Sequence, residues 1–186
     1  WAYRTFPLSI NCNRLNECGA RTKTMDLFNI KQTIEKQCKP TKHDPDKPAR
    51  AYLMTRGLRH SLKGLNFSYW PNVRNSGRGA VMFLVGKDRS GKPVYNGRLI
   101  NPGPNDAKQH NSGSTSGQFW QHPGYEYDPY KPTFVTEGII DALSIIEMGN
   151  QAVSVLAAGQ DPARVDLSPF NRLVLAFDSD QAGIRA

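Results

Sequence analysis

The chain has 186 residues, 38% of them hydrophobic and 22% charged, with a net charge of +8 and three cysteines. That length holds one domain or two small ones with a real core; no apolar run reaches membrane length, and Trp1-Ala2-Tyr3-Arg4 opens directly into mixed sequence rather than a signal peptide. Three cysteines do not make a disulfide framework, so a reducing, intracellular setting is the expectation.

No Met starts the chain and Ala186 falls three residues after Gly183, so both termini read as cut. Residues 1–23 read as irregular and contain Cys12 and Cys18. Met25 to Gln37 carries apolar side chains at helical spacing (Met25, Leu27, Phe28, Ile30, Ile34) and predicts an amphipathic helix. A Pro-, Lys- and Asp-rich stretch at 39–48 predicts a linker. Ala49 to Arg56, stopped by Gly57, predicts a second helix. Strands are expected near Phe67 to Trp70, Gly79 to Val85 and Pro93 to Ile100, the last two joined by a hairpin turn at Asp88-Arg89-Ser90-Gly91. Residues 101–131 are dominated by Gly, Pro, Asn and Ser and predict a long functional loop.

Three apolar runs follow: Thr133 to Val135, Val153 to Ala158 and Leu173 to Phe177. Short apolar runs bounded by turn residues predict buried parallel strands. A helical pattern from Ile139 to Met148 separates the first two, and a short helix is expected between the second and third. Carboxylates stand where the first and third strands end: Glu137 and Asp141 in one segment, Asp178 and Asp180 in the other. In parallel α/β sheets the carboxyl ends of strands are where ligand sites form. With the helix starting at Gly138, Glu137 and Asp141 would share one side of its first turn. Hard oxygen donors with little His or Cys nearby suit Mg²⁺ or Mn²⁺ rather than Zn²⁺. Taken one segment at a time, helix caps and solvated loop carboxylates explain these acids equally well; both segments at matching strand ends favour a metal site.

Charge is unevenly placed. Residues 1–130 hold 20 of the 24 Lys and Arg but 9 of the 16 Asp and Glu, whereas residues 131–186 hold 4 and 7. A basic region joined to an acidic one suits an enzyme that grips a polyanion and holds cations at a reacting phosphate. A merely solvated surface accounts for the surplus alone.

The motif set resembles the Toprim fold shared by bacterial primases, type IA and II topoisomerases and some nucleases. Glu137-Gly138 and Asp178-Ser179-Asp180 fill its acidic positions. Asp141, Ala182-Gly183 and the segment Tyr52-Leu53-Met54-Thr55-Arg56-Gly57-Leu58 match the DnaG-type primase branch. So do Arg78, the Asp88–Gly91 turn, Arg98 and Lys108-Gln109-His110-Asn111-Ser112. The resemblance covers roughly residues 49–183. It implies an α/β chain: a C-terminal Toprim-like parallel sheet flanked by helices over residues 131–186, a smaller basic α+β subdomain over 49–130, and a degenerate zinc-ribbon remnant with helix and linker over 1–48. Cys12 and Cys18-Gly19-Ala20 look like that remnant, with five intervening residues instead of two, so Zn²⁺ would need ligands beyond this chain; Cys38 and His43 complete a set only arithmetically.

The resemblance further implies a primase: a nucleotidyltransferase making short RNA primers on single-stranded DNA from ribonucleotide triphosphates. It assigns Glu137, Asp141, Asp178 and Asp180 to Mg²⁺ or Mn²⁺ and to catalysis, with Glu137 either ligand or general acid/base. Arg78, Arg98, Lys108 and Asn111 are assigned to template and nucleotide. Relatives of mobile-element or phage type often carry an attached helicase, which would then be a partner. Family Toprim domains add acidic residues beyond the Asp-x-Asp helix, before which this chain ends, so the piece itself is expected to bind metal weakly and to lack polymerase activity on its own. A Toprim nuclease and a non-catalytic nucleic-acid-binding module are the alternatives.

Overall fold

The computed structural model describes residues 9–11, 21–23, 29–73, 77–157 and 160–178. The chain divides into two compact units, one of residues 1–57, 68–81 and 99–108, the other of residues 58–67, 82–98 and 109–186.

In the first unit, β1 (Ser9–Asn11) and β2 (Arg21–Lys23) pair antiparallel and flank the segment that carries Cys12 and Cys18. The two cysteines lie outside the described residues, and Cys38 is a free thiol. Helix α1 spans Ile30–Gln37; the N-terminal part of the expected helix, with Asp26, lies outside the described residues. Helix α2 spans Lys47–Thr55, with Pro48 in its first turn, where a missing N–H goes unnoticed. It buries Ala49, Tyr52 and Leu53, the i, i+3, i+4 stripe of an amphipathic helix. Gly57 ends it at φ +85°, donating its N–H to the Met54 carbonyl at 3.0 Å. The Asp46 carboxylate, just ahead of α2, accepts the Tyr69 N–H at 2.7 Å and so ties the helix start to the following sheet.

That sheet has four strands in the order β3 (Phe67–Val73), β4 (Arg78–Lys87), β5 (Pro93–Leu99), β6 (Gln109–Ser112). Ala80 to Phe83 of β4 are buried throughout. The expected hairpin turn is present: Gly91 at φ +81° donates to the Asp88 carbonyl, and the Asp88 carboxylate accepts Ser90 N–H, Ser90 Oγ–H and Lys92 N–H. The Ser90 hydroxyl foremost, with the Lys92 amide, holds the Asp88 carboxyl below the usual carboxylate range.

The second sheet lies in the second unit, in the order β10 (Leu173–Leu175), β8 (Thr133–Thr136), β9 (Gln151–Ser154), β7 (Trp120–Gln121). β8 runs parallel to both β9 and β10, with Val135 opposite Val153 and Leu175; β7 is antiparallel to β9. Helix α3 (Ile139–Glu147) joins β8 to β9 and buries Ile139, Ala142, Leu143 and Ile146. A cluster of Val135, Val153 and Val155 is covered by Phe119, Tyr127, Val165, Leu167, Phe170 and Phe177.

Two sequence expectations are corrected. Residues 101–131 contain β6 and β7, which escaped notice because Gln-His-Asn-Ser and Trp-Gln lack the β-branched alternation of a strand. Leu173–Leu175 was expected to be buried, yet its side chains are exposed, Leu175 to 69%. Among the described residues the strand has β8 alone as its neighbour and stands at the edge of the sheet. Among the described residues, no helix is long and apolar enough to cross a membrane.

Candidate metal and nucleic-acid site

The acidic segments sit where the strand topology puts them. Thr136 ends β8, and Glu137 and Gly138 form the bend into α3. The helix begins at Ile139 with Gly138 as its N-cap, so Glu137 precedes the first turn instead of sharing it with Asp141. Its carboxylate reaches across to the neighbouring parallel strand: Glu137 Oε1 accepts the Asp178 N–H at 3.1 Å. Glu137 and Asp178, 41 residues apart in the chain, therefore meet at the carboxyl ends of β8 and β10.

Asp141, in the first turn of α3, folds back over the cap. A Cβ placed on Gly138 would come within 2.6 Å of Asp141 Oδ2, so glycine is what lets the carboxylate rest there. Gly138 has φ −118°, which any residue adopts; space is the reason for it. Beneath the bend, Thr136 Oγ1 donates to the Gly138 carbonyl at 3.0 Å, and Ser154 Oγ, at the end of β9, donates to the Glu137 carbonyl at 3.1 Å. Leu156, two residues on, has φ +72°, strained for a branched side chain, and its N–H donates to Ser154 Oγ at 3.1 Å. These supports were missed from sequence because Thr, Ser and Leu at strand ends carry no signal of their own.

Glu137, Asp141 and Asp178 offer oxygen donors of the type Mg²⁺ and Mn²⁺ prefer. Among the described residues, no group of three or more His, Cys, Asp or Glu is close enough to hold a metal ion. Asp180, the fourth acid, lies outside the described residues, as does the Ala182-Gly183 motif.

The basic residues fall into both units. In the first, Arg78 opens β4 and Lys108 immediately precedes β6. Ile100 N–H donates to the Gly79 carbonyl and Leu99 N–H to the Lys108 carbonyl, each at 3.0 Å, so Arg78 and Lys108 flank one strand end. Arg78 Nε lies 3.4 Å from Asp106 Oδ2, a partner that sequence did not single out.

In the second unit, Arg98 on β5 stands opposite Gln109, and Asn111 opposite Asn96, whose Nδ2 donates to Asn111 Oδ1 at 2.7 Å. Asn111 also lines an open polar cleft of about 720 Å³ with Ser114, Thr115, Ser116, Asp161 and Arg164. Gln160 secures its wall, accepting the Gly117 N–H at 2.6 Å and donating to the Gln118 carbonyl at 3.0 Å.

Residues 134–186 match the family model described as Toprim-like. A search of curated proteins finds no match. Among solved structures, the chain is similar to a DnaG catalytic core, at 21% identity and a TM-score of 0.54 over 87% of this chain and 63% of that one. It is similar to a DnaG primase catalytic domain bound to single-stranded DNA, at 18% identity and 0.54 over 86% and 64%. It is also similar to the zinc-binding and RNA polymerase domains of the Aquifex aeolicus primase, at 13% identity and 0.55 over 92% and 54%. The C-terminal region is thus Toprim-like on a mixed α/β fold. The chain as a whole has the fold of DnaG-type primase catalytic cores, spanning somewhat less than two thirds of the length of those it matches.

Proposed function

We propose that this chain is part of the catalytic core of a DNA primase, a nucleotidyltransferase that copies single-stranded DNA into short RNA primers. The observation that carries the reading is the Glu137–Asp178 hydrogen bond, which joins the Glu-Gly and Asp-x-Asp segments at adjacent parallel strand ends. In this reading Glu137, Asp141, Asp178 and Asp180 would hold Mg²⁺ or Mn²⁺. Such an ion, when bound, neutralises charge on the attacking and leaving oxygens of a phosphoryl displacement.

The chain's own groups supply the rest. Arg78, Arg98 and Lys108 hold phosphates, Arg by paired N–H donors and Lys as a point charge. Asn111 places a polar contact in the cleft beside the hydroxyl-rich loop. Glu137 is positioned from three sides, by Asp178 at its carboxylate, by Ser154 at its carbonyl and by the Thr136–Gly138 bend. The solved relative bound to single-stranded DNA supports the template class.

The test is incubation with single-stranded DNA, Mg²⁺ or Mn²⁺ and labelled ribonucleotides. Extension products that fall at least about a hundredfold in Glu137→Gln and Asp178→Asn are expected. Shortened DNA would favour a nuclease, and undiminished synthesis in both variants would remove these acids from the chemistry. A non-catalytic nucleic-acid-binding module is the second reading. DNA binding without either product would establish it.

A further inference from the structure

The pair formed by Arg78 and Asp106 belongs to neither the acidic site nor the fold's core. Asp106 closes a short turn on itself: its Oδ2 accepts the Gly103 N–H at 2.6 Å, and its own N–H donates to the Gly103 carbonyl at 3.1 Å. The carboxylate is therefore held by backbone whether or not Arg78 approaches it. Arg78 then leans on this fixed anion through Nε at 3.4 Å. Gly103 makes the approach feasible, since a Cβ there would stand 3.0 Å from Asp106 Oδ2 and 3.1 Å from Arg78 Nη2.

Both side chains are about one third exposed, 37% for Arg78 and 34% for Asp106. Ion pairs so placed are weak, and a guanidinium leaves one readily for a phosphate that offers several oxygens at once. Arg78 also shares its strand end with Lys108, across the Leu99–Ile100 backbone. An anion that engages both cations would have to compete with Asp106 for Arg78.

We infer that Asp106 is an internal counter-anion for Arg78 that the phosphate backbone of single-stranded nucleic acid displaces, so that Asp106 sets the affinity and salt dependence of that contact. The inference rests on the reading that Arg78 meets phosphate. It deepens that reading by naming a residue that opposes binding from within the basic region. Removing the charge takes the Asp106 anion out of competition for Arg78 and leaves the turn intact, because an amide or hydroxyl oxygen still accepts the Gly103 N–H.

The experiment is fluorescence anisotropy of a labelled single-stranded oligodeoxynucleotide titrated with the chain over a range of salt. Asp106→Asn, and Asp106→Ser as a second variant, tighten binding roughly two- to fivefold at low salt. The slope of log affinity against log salt steepens by about 0.7, one further phosphate contact on a single strand. Arg78→Ala weakens binding, and in its background Asp106→Asn adds nothing. Asp44→Asn is the control for bulk charge, because Asp44 pairs with Arg50 at 3.2 Å in the same unit.

The inference fails if Asp106→Asn and Asp106→Ser leave affinity unchanged while Arg78→Ala weakens it. It fails equally if the gain persists without Arg78, or if Asp44→Asn reproduces it. Arg78→Ala with unaltered binding would instead overturn the phosphate role of Arg78, and the inference with it.

Discussion

Gly138 shows how much of the acidic site depends on one missing methyl group. Its backbone conformation suits alanine, so Gly138→Ala should leave the melting temperature within about 2 °C of the parent. The added Cβ, however, would come within 2.6 Å of Asp141 Oδ2 and force that carboxylate to shift. Primer extension by Gly138→Ala is therefore expected to fall by about tenfold or more at constant fold. Full activity in this variant would show that Asp141 has no place in the chemistry. Residues of this kind divide sharply in how readable they are. Glu137, Asp141 and Asp178 are visible in the sequence because carboxylates after apolar runs mark strand ends in an α/β sheet. Gly138 is visible as the residue after Glu137 in the resembled motif, but the room it leaves for Asp141 is not. Nor are the roles of the Thr136 and Ser154 hydroxyls and of Asp106, which exist only once the chain has folded.

At the level of elements, a remote carboxylate organises a segment that sequence left unassigned. Glu147, at the end of α3, accepts N–H donors from Arg59, His60 and Ser61 and the Ser61 hydroxyl, all within 3.0 Å. It thereby caps the short 3₁₀ turn at His60–Leu62 in place of a local N-cap. From the other side, His122 is buried, with Nδ1 accepting the Gly124 N–H and Nε2 against the Ser61 carbonyl at 2.8 Å. That arrangement selects the neutral tautomer protonated at Nε2. Partial desolvation pushes the Glu147 carboxyl upward, but the three amides and the hydroxyl outweigh it and bring its pKa down to about 2.

The folded-state pKa of Glu147 is depressed, so its contribution is complete above the ordinary value of 4.5 and is lost as pH falls towards about 2. Glu147→Gln should lower stability near neutral pH by about 1–2 kcal/mol, a drop of roughly 2–8 °C in melting temperature. The variant should also show a shallower loss of stability between those two pH values. Thermal unfolding across that window checks it, and parallel acid limbs for parent and variant would contradict it. The helices and the longer strands follow from periodicity, since Ile139, Ala142, Leu143 and Ile146 or Ala49, Tyr52 and Leu53 repeat at helical spacing. β6 and β7 do not, because they are short and Gln-His-Asn-Ser and Trp-Gln show no apolar alternation. The exposure of β10 depends on its position in the sheet, which no local pattern encodes.

Over the whole molecule, the charge asymmetry and the topology point the same way. Basic side chains are concentrated in residues 1–130, and Glu137 and Asp178 stand at the carboxyl ends of two parallel strands in residues 131–186. The Toprim-like match and the DnaG-type fold were legible beforehand from the short motifs that carry them. The division into two compact units, each assembled from separated stretches, was not, since linear composition does not reveal which strands share a core.

The central claim is that the Glu137 and Asp178 segments together capture a divalent cation. Titration of Mn²⁺ into the chain, followed by the paramagnetic resonance of the free ion, tests it without relying on turnover. The account predicts that the parent depletes the free Mn²⁺ signal at up to millimolar concentrations, and that Glu137→Gln and Asp178→Asn each abolish the depletion while remaining folded. Equal depletion by the parent and both variants would contradict it.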